Sequence, residues 1–330
     1  MSIPIAIPSL GEEEAAAVRE AILSGWVTQG PKVKAFEDTF ARLVDARFAV
    51  AVSSCTTALH LALRAVGVSP GDVVLTVSHS FIATANSVRH CGAEPLFVDI
   101  DPTNLNMSPA ALEQWLVNGF EERDGSYWLR DLSITANLPE SPLNRIGNPK
   151  GRLAAVLIVH QVGNPADMTA LLALAKRWNV PLVEDAACAI GSRISLDGGS
   201  TFQPVGKPIG DAVCFSFHPR KVITTGDGGM ITTDDEKIDR RFRLERQHGM
   251  DVSDLGRHSS STVIIESYST TGYNYRMTDM QGAMGLAQLK RLDGIIERRR
   301  QIADRYRALL SGVKGLTLLA EPAWARYNWQ

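Results

Sequence analysis

At 330 residues and 45% hydrophobic content, the chain is long enough for one large domain and a smaller one around a substantial core, which excludes a disordered protein. Its 34 Lys and Arg against 36 Asp and Glu leave a formal charge of −2, so no basic field invites nucleic acid. Cys55, Cys91, Cys188 and Cys214 show neither CxxC nor Cys/His ligand spacing and lie in or beside apolar runs, the pattern of reduced core thiols, which speaks against disulfides and metal.

Met1–Leu10 has no basic start and no long apolar stretch, and the chain holds no uncharged run long enough to span a bilayer, so a cytoplasmic protein without a membrane partner is expected. In chain order, apolar β-branched runs occur at Phe48–Val52, Val73–Val77, Pro95–Ile100, Leu153–Val159, Val180–Val183, Ala212–Phe217 and Met230–Thr233. Helical patterns separate most of them, at Thr56–Val66, Ile82–His90, Pro109–Leu116 and Met168–Trp178. Strand and helix alternating in this way predict an α/β fold with a largely parallel sheet between helices, whose ligands sit at the carboxyl ends of the strands. Two segments read as surface loops: Asn118–Lys150, with weak periodicity, and Ser192–Pro208, rich in Gly, Ser and Pro. A long helix over Met280–Leu310 leads to a short lobe that ends at Tyr327-Asn328-Trp329-Gln330 with no strand or helix to close it.

Three places carry candidate chemistry. Ser53-Ser54-Cys55-Thr56-Thr57 comes after the first strand and opens a helix; its amides and hydroxyls either form an anion site or simply cap the helix. Val180–Val183 runs into Glu184 and Asp185, acids that are costly to bury unless they meet a cation, or that merely cap the next helix. Val213, Phe215 and Phe217 alternate with Cys214, Ser216 and His218 until Pro219 ends the ladder, leaving Lys221 near a strand end before Gly226-Asp227-Gly228-Gly229. A lysine taken alone is ordinarily a surface residue. An amine against apolar walls, however, loses its proton more readily, and the neutral amine attacks carbonyls. There is no GxGxxG after the first strand, which demotes a nicotinamide enzyme. An anion cradle, an acid and a lysine after three different strands are the equipment for pyridoxal phosphate.

With these residues the chain closely resembles the DegT/DnrJ/EryC1/StrS sugar aminotransferases, of pyridoxal-phosphate fold type I. The resemblance runs from Gly25–Pro31 through Ser53–Leu63, Gly71–Ala93, His160–Met168, Glu184–Ala187 and Phe215–Gly229 to Gly272–Gln281. It implies a large domain over 1–245 with a mostly parallel seven-stranded sheet, then a dimer-crossing segment, a linking helix and a small, incomplete C-terminal α+β domain over 246–330. By the same resemblance Lys221 is the Schiff-base lysine and proton shuttle, and Asp185 keeps the pyridine nitrogen protonated. Ser216, Thr56 and Thr57 hold the phosphate, and Phe81 stacks on the ring, a role compatible with plain core packing. Asn274 reaches the phosphate in the neighbouring subunit, which implies a homodimer with shared active sites. Cys188 stands where the family has glutamine or histidine and is a weaker donor to the cofactor's ring oxygen. His248, Tyr273 and Arg276 are candidate substrate contacts, with solvated or interface packing as the alternative for His248 and Arg276.

The implied reaction is amino transfer from an amino acid, L-glutamate first, to the keto carbon of a nucleotide-linked sugar, in amino-sugar biosynthesis for polysaccharide, glycan or natural product. Two alternatives accompany it. One is a relative that binds the cofactor as a sensor or scaffold without transferring amino groups; the other is a sugar dehydratase, against which Lys221 itself argues because such enzymes carry histidine there.

Overall fold

The computed structural model describes residues 6–252 and 265–330; of the leader reading at Met1–Leu10, residues 1–5 lie outside the described residues. Its centre is a seven-stranded sheet of β1 (Phe48–Val52), β2 (Val73–Val77), β3 (Glu94–Val98), β6 (Leu153–Val159), β7 (Leu182–Asp185), β10 (Ala212–Ser216) and β11 (Gly229–Thr233). The spatial order is β1-β11-β10-β7-β6-β2-β3, and β11 alone runs antiparallel to its neighbours. All seven expected strands are present, with boundaries displaced by at most two residues. The largest shift is at β7. Val156 N–H donates to the Pro181 carbonyl, and the register carries Glu184 and Asp185 inside the strand as its last two residues.

The period-2 pattern of β10 sorts its side chains as expected. Val213 and Phe215 face a cluster with Phe36 and Phe40 of α2 (Pro31–Val44), where the Phe40 and Phe215 rings lie 5.0 Å apart. Ala212 and Cys214 face the opposite cluster, with Leu59 and Ala62 of α3 (Cys55–Ala65) and Phe242 of α8 (Glu236–Glu245). Three further helices lie where expected: α4 (Ala83–His90), α7 (Met168–Arg177) and the linking helix α9 (Asp279–Leu310). Helix α5 (Pro109–Gln114) instead turns into a wider π-helical turn over Trp115–Gly119. Among the described residues no helix is long and apolar enough to cross a membrane.

Both presumed loops are more ordered than expected. Asn118–Lys150 holds a hairpin of β4 (Phe120–Arg123) and β5 (Ser126–Leu129) and a short helix α6 (Pro142–Arg145). Phe120, Leu129 and Leu143 are buried in the main core, which is what a solvated loop lacks. Ser192–Pro208 supplies β8 (Arg193–Ile194) and β9 (Gln203–Pro204), and the chain end adds β12 (Ala325–Arg326) on the other side of β8. The closing lobe therefore does contain a strand: backbone pairing with β8, which composition does not report, replaces the apolar run that would have advertised it.

Edge strand β1 would expose unpaired amides and carbonyls, and an ion cluster covers them. Glu37 of α2 accepts from Ala51 N–H at 2.9 Å and pairs with Arg246 at 2.5 Å and Arg243 at 2.9 Å. The two arginines donate in turn to the Ala51 and Ala49 carbonyls, and Ser53 N–H donates to the Tyr275 carbonyl. Burial pushes the Glu37 carboxyl up, but Arg246 and Arg243 outweigh it and hold the group below the ordinary Glu range. Its stabilising contribution is thus present above that range and is lost as pH falls through the lowered value. Glu37→Ala leaves Arg246, 4% exposed, without its counter-charge. We expect it to cost about 3–5 kcal/mol in urea unfolding; a loss under ~1 kcal/mol would show that the cluster is dispensable.

Candidate active site

Because β1, β2, β6, β7 and β10 point the same way, the loops after them meet along one edge of the sheet, and antiparallel β11 begins at that same edge. The topology thereby gathers Ser53–Thr57, Ser78–Phe81, His160, Asp185 and Ser216–Gly229 from across the sequence.

At the start of α3, Ser54 caps the helix: its Oγ accepts from Thr57 N–H at 3.2 Å, and the Thr57 hydroxyl accepts from Ser54 N–H at 3.1 Å and donates to the Ser54 carbonyl at 2.8 Å. The capping reading, which offered Ser54 or Thr56, holds for Ser54 with Thr57 as its reciprocal partner, and the Thr56 hydroxyl makes no hydrogen bond among the described residues. The helix N-terminus faces the end of β10 because Gly229 pairs with Val52 on one side and Ser216 on the other. Ser216 accepts weakly from His218 N–H at 3.4 Å and keeps its hydroxyl proton for another acceptor. Only glycine fits at 229. An added Cβ would lie 2.4 Å from the Ser54 carbonyl oxygen and 2.8 Å from Cys55 N, both backbone. Gly229→Ala is expected to lower stability by ~1–3 kcal/mol and to weaken phosphate-dependent cofactor binding, read by thermal denaturation and cofactor titration; unchanged binding would separate this cradle from the phosphate.

Asp185 is buried and its two oxygens have one donor each: Thr84 Oγ1 at 2.8 Å and Ala187 N–H at 3.1 Å. It makes no ion pair among the described residues. Burial pushes its carboxyl above the ordinary Asp range, opposed by those two donors and by the nearby Lys221 and His160. Adjacent Glu184 points elsewhere and pairs with buried His160, Nε2 to Oε2 at 2.9 Å. His160 Nδ1 accepts from Ala166 N–H at 3.1 Å, so the ring proton sits on Nε2 and is donated to Glu184. His160 N–H also donates to the Asp185 carbonyl, which fixes the end of β7 against β6.

Lys221 lies in a turn after β10, its N–H donating to the His218 carbonyl at 2.8 Å, and its Nζ donates to Cys188 Sγ at 3.0 Å. Cys188 is held by its carbonyl, which accepts from Asn328 Nδ2 at 2.7 Å; that same amide reaches the Ile190 carbonyl. Phe81 precedes α4 and is 75% exposed, so core packing does not explain it. Its carbonyl accepts from Thr84 N–H, one helical turn before the hydroxyl that holds Asp185.

The candidate substrate residues form one ladder beyond α8. His248 N–H donates to the Tyr273 carbonyl at 2.8 Å, Gln247 bridges to Asn274, and Arg276 bridges to Val52. His248 and Asn274 are exposed, and Arg276 is half-buried. Tyr273 stacks on Tyr275 at 4.8 Å and packs edge-on against His60, which ties the ladder to α3. Thr84 and His160 escaped the sequence reading. For His160 the signal existed, since it comes directly after a strand of the parallel sheet; for Thr84, 101 residues from Asp185, none did.

Comparison with known proteins identifies the family. The DegT/DnrJ/EryC1/StrS aminotransferase family matches residues 8–121 and 134–330, and the unmatched 122–133 fall in the β4–β5 hairpin and the turn after it. The spore coat polysaccharide biosynthesis protein SpsC of Bacillus subtilis (strain 168) is 39% identical over 314 residues, covering 95% of this chain and 70% of that protein. The aminotransferase TlmJ from Streptoalloteichus hindustanus superposes with a TM-score of 0.78 at 33% identity, covering 99% of this chain and 77% of that one. A putative sugar aminotransferase, Spr1654 of Streptococcus pneumoniae, has been solved in a PMP-form that matches at 27% identity with a TM-score of 0.75, over 99% of this chain and 79% of that one. Its PLP-form matches at 26% identity and TM-score 0.74, over 99% and 78%. A family match over nearly the whole length, joined to this convergence of Lys221, Asp185 and the α3 cradle, places the chain in the DegT/DnrJ/EryC1/StrS aminotransferase family.

Proposed function

We propose that this aminotransferase moves an amino group from L-glutamate to the keto carbon of a nucleotide-linked sugar, in amino-sugar biosynthesis. Pyridoxal phosphate is its cofactor, and the observation that carries the reading is Asp185: a buried carboxylate with no cationic partner among the described residues, at the carboxyl end of a central strand, with its ionised form disfavoured by burial. A protonated pyridine nitrogen would supply the missing charge. The rest of the edge fits the same group. Thr56, Ser216 and the N-terminus of α3 would hold its phosphate, with Thr57 keeping that terminus in shape; the exposed Phe81 ring would cover one face; and Cys188 sits beside the amine of Lys221.

When bound, the cofactor serves as an electron sink for the carbon that loses its proton. The chain's own residues do the rest. In the donor half-reaction Lys221 Nζ would carry the proton from the donor's α-carbon to the cofactor carbon, and in the acceptor half it would carry one from that carbon to the sugar; the donor product leaves before the acceptor binds, so kinetics are ping-pong. Asp185 holds its charge in place with no reorganisation, because Thr84 and Ala187 already orient both oxygens. Across a homodimer, the exposed Asn274 of one subunit would reach the phosphate site of the other, and His248, Tyr273 and Arg276 on the same ladder would approach the substrate. A domain boundary at residue 245 would put His248, Tyr273, Asn274, Arg276, α9 and β12 in the second unit. Incubation with pyridoxal phosphate, L-glutamate and a panel of nucleotide ketosugars should give an amino sugar identifiable by mass and NMR; amino transfer confined to simple keto acids would refute the sugar acceptor.

A further inference from the structure

The close approach of Cys188 Sγ to Lys221 Nζ, at 3.0 Å, joins the reactive amine to the one cysteine of the four that is not fully buried. Cys55, Cys91 and Cys214 are buried, and burial pushes all three thiols up, Cys91 to about 12, so oxidants meet Cys188 first. The pair is held by the fold. Asn328, fully buried, grips the Cys188 carbonyl, while Lys221 is set by the turn its N–H closes on His218. Two side chains in contact on two fixed backbones need almost no rearrangement to become bonded.

We infer that Cys188 and Lys221 form a reversible oxidative cross-link, a modification site that hydroperoxides close and thiols open. Oxidation proceeds through the thiolate, and the thiol's proton has a primary amine at hand to receive it. In the first step Sγ attacks hydrogen peroxide: the S–O bond forms, the O–O bond breaks, and the released hydroxide leaves as water with the proton the amine took from the thiol, giving the sulfenic acid and a free amine. In the second, the neutral Lys221 amine attacks the oxidised sulfur: the N–S bond forms, the S–O bond breaks, and the hydroxyl leaves as a second water with a proton from the nitrogen. Thiol, amine and peroxide thus become a sulfenamide and two waters, with sulfur oxidised by two electrons and peroxide reduced by two. Two equivalents of a small thiol restore both side chains and leave as the disulfide.

The cross-link itself rests on geometry alone, whereas its consequence for cofactor uptake rests on the reading of Lys221 given above. A cross-linked lysine cannot bond to the cofactor, so bound cofactor and cross-link exclude one another. Hydrogen peroxide added to the protein without pyridoxal phosphate should lower the intact mass by about 2 Da, join the Cys188 and Lys221 peptides in a digest, and abolish the visible band on later cofactor addition, with dithiothreitol reversing all three. Prior loading with cofactor should prevent the mass loss, and Cys188→Ala should show neither mass loss nor any peroxide effect on its own cofactor uptake. Oxygen addition at Cys188 with no joined peptides, or an equal mass loss in Cys188→Ala, would overturn the cross-link. A cross-link that forms yet leaves cofactor uptake intact would overturn the role of Lys221 and leave the cross-link standing.

Discussion

Lys221→Ala is expected to bind little cofactor covalently and to lose about 10⁴-fold or more in kcat/KM for amino transfer, because it removes both the nucleophile and the proton carrier. The fold should be indifferent to the change. Lys221 belongs to neither apolar cluster, and its side-chain contact is a hydrogen bond to Cys188. Its ladder neighbours hold without it, since Phe217 N–H is bound to the Gly228 carbonyl and Thr225 N–H to the Phe217 carbonyl. Melting temperature should therefore stay near that of the wild type while activity vanishes. Retention of activity within tenfold would move the chemistry to another residue, and a large drop in melting temperature would recast Lys221 as structural.

Asp185→Asn separates function from stability in the opposite direction. Asparagine keeps the size of the side chain and one oxygen for Ala187 N–H, with its amide N–H donating to a Thr84 hydroxyl that turns its own proton to Ser80, but it cannot hold a proton on the ring nitrogen. A loss of about 10²- to 10³-fold in kcat is expected, the scale of removing one preorganised electrostatic contact. The cofactor-free protein should gain stability. Burial raises the folded-state value for Asp185, so the neutral acid's advantage is complete below the ordinary Asp range and is lost as pH rises through the raised value. Near neutral pH the wild type therefore carries a buried charge that asparagine lacks. The variant should melt higher than wild type at neutral pH, with the difference shrinking as pH is lowered; an unchanged kcat, or a lower melting temperature at neutral pH, would show that Asp185 is part of the scaffold.

Much of this was legible in the sequence, and the reasons differ by element. The strands were visible because a parallel sheet covered on both faces demands continuous apolar runs such as Leu153–Val159, buried at every position. The capping motif at Ser54–Thr57 and the alternation before Pro219 were equally local signals. Helix α2 carries the right spacing in Val33, Phe36, Phe40 and Val44, behind Pro31 at its first turn, but the polar residues between them mute it beside the continuous apolar strands. β8, β9 and β12 were hidden because two-residue strands have no periodicity to read; the outer pairing, Ala325 with Ile194, joins residues over 100 positions apart. The hairpin at Phe120–Leu129 was hidden by the charges Glu121 to Asp124, which fill most of β4 and open the turn, even though Phe120 and Leu129 anchor it in the core. At the site, the acid, the lysine and the helix start could be named from sequence, whereas the Thr84 contact and the 3.0 Å approach of Lys221 to Cys188 depend on loops that only the folded sheet brings together.

The most direct test of the central claim is a half-reaction. Purified protein carrying pyridoxal phosphate is mixed with L-glutamate and no acceptor, and the visible band is monitored together with 2-oxoglutarate. Loss of the band with about one 2-oxoglutarate per subunit, and its return on adding a nucleotide ketosugar, is the predicted result. A visible band that neither L-glutamate nor any other amino acid discharges would contradict amino transfer at Lys221.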